Sequence, residues 1–243
     1  MLADNGFAAG KFWLALGRIA FAATHLFVTL PAYLLLLPKE ARGLPVPASE
    51  ADRVSTELAA GKQVAALWIL GVILTSSAAT LALVSTHLLT LLQARGLELA
   101  AAVALGALIG PSQVAARVVE LTFGKFYHPL WTMLAGVALV AVGVFLLWTG
   151  YPVTAAALIV YGSGNGIVSI TRGSVPLVLF GSGRFAMLMG RLALPSLLAM
   201  AAAPIIGTFL IEIGGATLTF GTLTILSVLN VVLATILIAG FRR

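Results

Sequence analysis

The sequence predicts an all-α integral membrane protein with about seven transmembrane helices, and three observations predict it. The first is composition. Of 243 residues, 60% are hydrophobic and 9% are charged, where soluble domains carry roughly 25% charged residues. Eight acids and fourteen bases cannot cover a water-facing surface, and the mean hydropathy of +1.10 agrees. The second is run length: a span needs about 20 apolar residues at about 1.5 Å rise each, and such runs recur along the chain. The third is that the runs are apolar all round. In lipid the backbone must satisfy itself in helices or closed barrels, and barrel strands alternate polar with apolar residues. The absence of alternation leaves helices.

The expected spans lie near 19–37, 65–91, 99–117, 130–149, 153–171, 191–211 and 215–240. Gln93-Ala94-Arg95-Gly96, Gly150-Tyr151-Pro152 and Gly214-Gly215 punctuate them as turns. Residues 1–37 hold an N-terminal segment and the first span. Residues 38–64 carry Pro38, Pro45 and Pro47 among Lys39, Glu40, Arg42, Glu50, Asp52, Arg53, Glu57 and Lys62, and read as a cytoplasmic linker. Residues 65–243 form a six-helix unit. Within it, 172–190 contains Arg172, Gly173, Pro176, Gly181, Gly183 and Arg184; Pro and Gly are expected to break the helix there, leaving an interfacial segment rather than another span.

Basic residues set the orientation. With the C-terminus inside, Lys39, Arg42, Arg53, Lys62, Arg117, Lys125, Arg172, Arg184, Arg191, Arg242 and Arg243 fall at or near the cytoplasmic face. Lys11, Arg18 and Arg95 fall outside. Eleven bases against three is a positive-inside pattern, and it places the chain in a cell (inner) membrane with a cytoplasmic C-terminus. An odd number of spans starting outside suggests that a segment upstream of Met1 is missing.

Several function classes are disfavoured. There is no cysteine, hence no disulfide or thiolate chemistry. The pI near 10.2 comes from scattered bases, not a dense patch, so nucleic acid is not an expected partner. No signal peptide is expected, because the first apolar run follows a mixed stretch and no small-residue cleavage site follows it. His25, His87 and His128 lie on different segments, so no metal site is expected, and no phosphate-binding or nucleophile-elbow motif is present. No cofactor is expected, and an enzyme is not expected either.

The order of features resembles the major facilitator superfamily. Gly17-Arg18-Ile19-Ala20-Phe21 resembles the entry to that family's sixth helix, Pro31 to Pro38 its exit, and 38–64 the family's central charged loop. Gly110-Pro111-Ser112-Gln113-Val114-Ala115-Ala116-Arg117 resembles its eighth helix. Tyr161-Gly162-Ser163-Gly164-Asn165-Gly166 through Thr171-Arg172-Gly173 resembles its tenth, and Gly190-Arg191-Leu192 with Pro195 and Pro204 its eleventh. The family's charged loop signature survives only as Arg117, Glu120, Gly124 and Lys125, and helices one to five of the pattern are absent. The resemblance implies that six of the spans form one facilitator-type bundle. It also implies transport of a small solute by alternating access against a second six-helix bundle, from a separate chain or a second copy. The alternative is a truncated membrane subunit that binds a partner bundle without transporting.

Polar residues inside the membrane are costly and tend to face the bundle interior, so they are the candidate binding residues. Asn165 and Tyr161, four apart near mid-depth, come first. Gln113 follows, then Ser76, Ser77 and Thr80 on the second span. Close helix packing by glycine and back-bonded hydroxyls is the competing explanation. Candidate gating residues are Arg117 and Glu120, spaced to form an i,i+3 pair, with Arg172 and His87. The lining is neutral and polar with bases at the cytoplasmic mouth, which points to neutral, amphipathic or anionic solutes over cations.

Overall fold

The computed structural model describes residues 60–150 and 152–241, with a few isolated positions between 23 and 31. Most of the expected span at 19–37 and most of the 38–64 linker lie outside the described residues. The fold below is that of the compact unit Ala48–Arg243. All its described elements are helices: α1 Ala60–Gln93, α2 Leu99–Gly106, α3 Ile109–Phe123, α4 Pro129–Thr149, α5 Thr154–Phe180 and α6 Ser182–Phe241, with one 3₁₀ turn at Gly124–Phe126. Among the described residues, five stretches are long and apolar enough to cross a bilayer: Lys62–Gln93, Leu99–Phe123, Pro129–Thr149, Thr154–Phe180 and Phe185–Gly240. The chain is therefore an all-α, multi-pass membrane protein.

The last stretch is two helices joined at a kink. Sixty residues of straight helix would reach about 90 Å, roughly three hydrocarbon thicknesses. Instead the backbone leaves helical geometry at Gly214 (φ −141°, ψ 15°) and Gly215 (φ 61°, ψ −156°). Contacts with α1 give the direction of each arm. Gly71 faces Leu192, while Gly207 lies against Leu83 and His87, so the 182–213 arm runs parallel to α1. Ser76 meets Asn230, and Leu70 shares a cluster with Leu237, so the 216–241 arm returns antiparallel. The φ/ψ pair at Gly215 belongs almost exclusively to glycine. Gly215→Ala is expected to cost about 1–3 kcal/mol, measurable as a lower midpoint in detergent unfolding followed by tryptophan fluorescence.

Pro111 explains the break in the third passage. It has no N–H and sits in the first turn of α3, where a helix tolerates it, and the helix is interrupted at Ala107–Leu108 just before it. The helix break expected at Gly173 and Pro176 is corrected: α5 continues through Arg172 and Pro176 to Phe180, and α6 starts at Ser182. Packing outweighs the helix-breaking proline. Val175, Leu179 and Phe180 are buried with Leu70, Ile73 and Met133, and in lipid it is this close van der Waals packing, not removal from water, that holds the helix through the proline. The linker also ends earlier than expected, because residues 60–64 already belong to α1.

The core divides into two apolar clusters stacked along the helix axes. One gathers Leu70, Ile73, Met133, Val137, Leu179, Leu192 and Leu237. The other gathers Leu83, Leu91, Val144, Leu158, Tyr161, Phe220 and Leu223. The described bases Lys62, Arg117, Arg172 and Arg191 lie toward the end of the first cluster. Arg95 lies at the other end.

Candidate functional site

Between the two apolar clusters runs a polar level. On α1 the clusters leave a gap filled by Ser76, Ser77 and Thr80. On α5 it holds Asn165, on the first arm of α6 Ser196, and on the second arm Thr224, Ser227 and Asn230. Ser76, Thr80, Asn165, Ser196, Thr224, Ser227 and Asn230 are all buried, and each stands near the middle of its helical passage. The layer therefore lies at the depth where hydrocarbon penalises polar atoms most.

Its best-connected part joins α1 to the second arm of α6. Asn230 Nδ2 donates to Ser77 Oγ at 3.2 Å, and Ser76 Oγ donates to Asn230 Oδ1. The Ser76 proton has two further acceptors, Val72 O at 2.7 Å and Ile73 O at 3.2 Å. One turn further along these antiparallel helices, Thr80 comes opposite Ser227. Among the described residues neither hydroxyl has a hydrogen-bond partner, although both are buried. Their neighbours behave differently: Thr86, Ser196, Thr224 and Thr235 each donate to the carbonyl four residues earlier. Thr80 and Ser227 decline that ordinary helical solution.

The second part lies between α3, α4 and α5. Glycines bring these helices into backbone contact. A Cβ on Gly143 would stand 2.6 Å from Tyr161 N, one on Gly164 2.6 Å from Val140 N, and one on Gly166 2.4 Å from Gln113 O. The glycines of this segment thus serve close packing. Asn165 Nδ2 donates to Tyr161 O at 3.0 Å. Tyr161 is fully buried, and its hydroxyl makes no hydrogen bond of good geometry; the polar group near it is the Asn165 side chain. Gln113 presents its main chain to Gly166, and its side chain is half-buried.

The expected gating residues are dispersed. Arg117 Nε donates to Ser169 Oγ on α5 at 2.9 Å, and Ser169 Oγ in turn donates to Gly166 O at 2.6 Å. Among the described residues no ion pair joins Arg117 to Glu120, so the expected i,i+3 clamp is replaced by a bridge between helices. The reason is proximity: Gly166 draws α5 against α3 one turn away. Glu120 curls over Gly124, where a Cβ would collide with its carboxyl group. Arg172 is half-buried on α5. His87 Nε2 donates to Pro204 O at 3.0 Å and packs on Gly207, tying α1 to the first arm of α6.

Ser227 and Asn230 are not among the candidate residues that the sequence supplies. Their signal was present as a polar i,i+3 pair inside an apolar run, but the partner residues lie about 150 positions earlier. Comparison with protein-family models, with curated proteins and with solved structures finds no match for the chain.

Proposed function

We propose that this bundle is part of a facilitator-type secondary transporter that moves a small neutral, amphipathic or anionic solute by alternating access. The observation that carries the reading is the mid-depth polar layer, near which the buried hydroxyls of Thr80, Ser227 and Tyr161 make no hydrogen bond of good geometry among the described residues. Each costs about 1–3 kcal/mol if nothing pairs with it. Three on three different passages are poorly accounted for by packing and suit a surface that pairs with a solute or its water. Asn165 and Asn230 add amide groups at the same level. Alternating access needs a second bundle to rock against, so the proposal includes one, as a separate chain or a second copy. The clustering of described bases toward one end supports a cytoplasmic C-terminus in the cell membrane.

Packing and transport make opposite predictions for the same substitutions. Thr80→Val and Ser227→Ala remove unpartnered hydroxyls. The expected result is a bundle as stable as the wild type or more stable, by up to about 1 kcal/mol each, with reduced solute movement. Asn165→Leu is expected to abolish movement while membrane insertion is unchanged. The measurement is uptake and efflux of a panel of radiolabelled neutral and anionic solutes in cells expressing the chain, alongside thermal unfolding of the purified variants. Transport that is unaltered in all three variants would remove the polar layer from the mechanism, and selective movement of cations would overturn the substrate class.

A further inference from the structure

At the end of the bundle opposite Lys62 and Arg191, the turn after α1 meets the ends of α4, α5 and the second arm of α6. They enclose a half-open cavity of about 630 Å³, within the range of about 300–1,000 Å³ typical of small-molecule sites. Its polar groups are Arg95, Thr154 and Thr217, and Leu92, Leu97 and Leu147 supply an apolar wall.

Arg95 is held in a fixed pose. Its Nη2 donates to Trp148 O at 2.8 Å, one of the last-turn carbonyls that α4 leaves without helical partners. Its guanidinium carbon lies 5.1 Å from the centroid of the Phe220 ring, a cation–π distance. Its Nη1 lies 3.2 Å from where a Cβ on Gly150 would stand. Gly150 closes α4 in the left-handed conformation (φ 73°), so the cap that ends the helix also leaves room for the guanidinium. These contacts satisfy one of five N–H donors. Among the described residues no carboxylate pairs with Arg95, and Glu98, three positions on, does not reach it. A preoriented guanidinium with unused donors suits the paired oxygens of a phosphate or carboxylate. The first turn of α5, which begins at Thr154 in the cavity wall, lacks a side-chain cap and adds N–H groups of the same preference.

We propose that this cavity binds an oxyanion carried by an amphipathic molecule, namely the phosphate headgroup of an acidic phospholipid. The cavity lies at helix ends, the depth of headgroups, and Trp148 is an exposed indole at that level. The leucine wall accepts the first carbons of an acyl chain, and Thr154 and Thr217 donate to headgroup oxygens. The shared chemistry admits one other source, a soluble phosphate.

The test uses the purified full chain in neutral detergent, with unfolding followed by tryptophan fluorescence. Short-chain phosphatidylglycerol, short-chain phosphatidylcholine and inorganic phosphate are titrated separately. Phosphatidylglycerol is expected to raise the unfolding midpoint where phosphatidylcholine does not. Its half-saturating concentration should be about tenfold or more higher in Arg95→Gln, the loss expected for one charge-assisted contact. Thr217→Val keeps the Arg95–Trp148 contact and is expected to weaken the same response, which covers the case in which Arg95→Gln fails to fold. A response to inorganic phosphate equal to that of phosphatidylglycerol supports the anion site and assigns it to a soluble ligand. Equal responses to the two lipids, or a phosphatidylglycerol response unchanged in the variants, would overturn the proposal. In that case Arg95 is a helix clamp and nothing more.

Discussion

Tyr161→Ala is expected to cost about 3–5 kcal/mol, whereas Tyr161→Phe is expected to leave stability unchanged or slightly raised. Tyr161 is among the largest fully buried side chains and belongs to the cluster with Leu158, Val144 and Phe220. Truncating it opens a cavity between helices whose backbones are already in contact and cannot close further, because Gly143 abuts Tyr161 N and Cα. The phenylalanine variant keeps the ring and removes only an oxygen that has no good hydrogen bond. Unfolding in detergent distinguishes the two. An equal loss in both variants would mean that the hydroxyl is paired in the membrane. Under the proposed function, Tyr161→Phe also lowers solute movement while the fold is retained, a combination that a purely structural tyrosine does not give.

The second large effect is expected at Gly166. Gly166→Ala should cost about 2–3 kcal/mol, the upper part of the range for overpacking, because its Cβ would stand 2.4 Å from Gln113 O and 3.0 Å from Gln113 Cα. These are main-chain atoms of α3, so no rotamer change relieves the clash and α3 must move as a body. That movement also stretches the bridge from Arg117 to Ser169, one turn further on. Gly173 on the same helix is the control. Nothing lies within 4 Å of the Cβ position there, and Gly173→Ala is expected to be neutral or to stabilise by up to about 1 kcal/mol, the ordinary helical preference. Similar losses at both positions would show that the helix is responding to propensity and not to contact with α3.

The passages were legible because lipid imposes one strong rule on a sequence: about 20 apolar residues between turn signals. The depth of Ser76, Thr80 and Asn165 followed from counting along each run, and all three are buried at mid-height. What counting could not supply was the pairing across helices. The encounter of Ser76 with Asn230, the reach of Arg117 to Ser169 and the isolation of the Thr80 and Ser227 hydroxyls all depend on which faces meet. A single sequence carries no term for that. The continuation of α5 through Pro176 was missed for a related reason. Proline and glycine are read locally, whereas the burial of Val175, Leu179 and Phe180 that overrides them is tertiary. Arg95 was visible only as a charge in a turn. Its cavity is assembled by four segments up to about 120 residues apart.

The bridge from Ser76 to Asn230 has a consequence for biosynthesis. The two residues are 154 positions apart, and a ribosome adding about 5–20 residues per second needs about 8–30 s to get from one to the other. During that interval α1 already occupies the bilayer while its eventual partner has not been made. Ser76 can wait because Val72 O and Ile73 O accept its proton in the meantime. Asn230 has no such provision on its own helix among its described bonds. The closing helical hairpin therefore has reason to dock onto the nascent bundle as soon as it enters, with its amide drawing it into register.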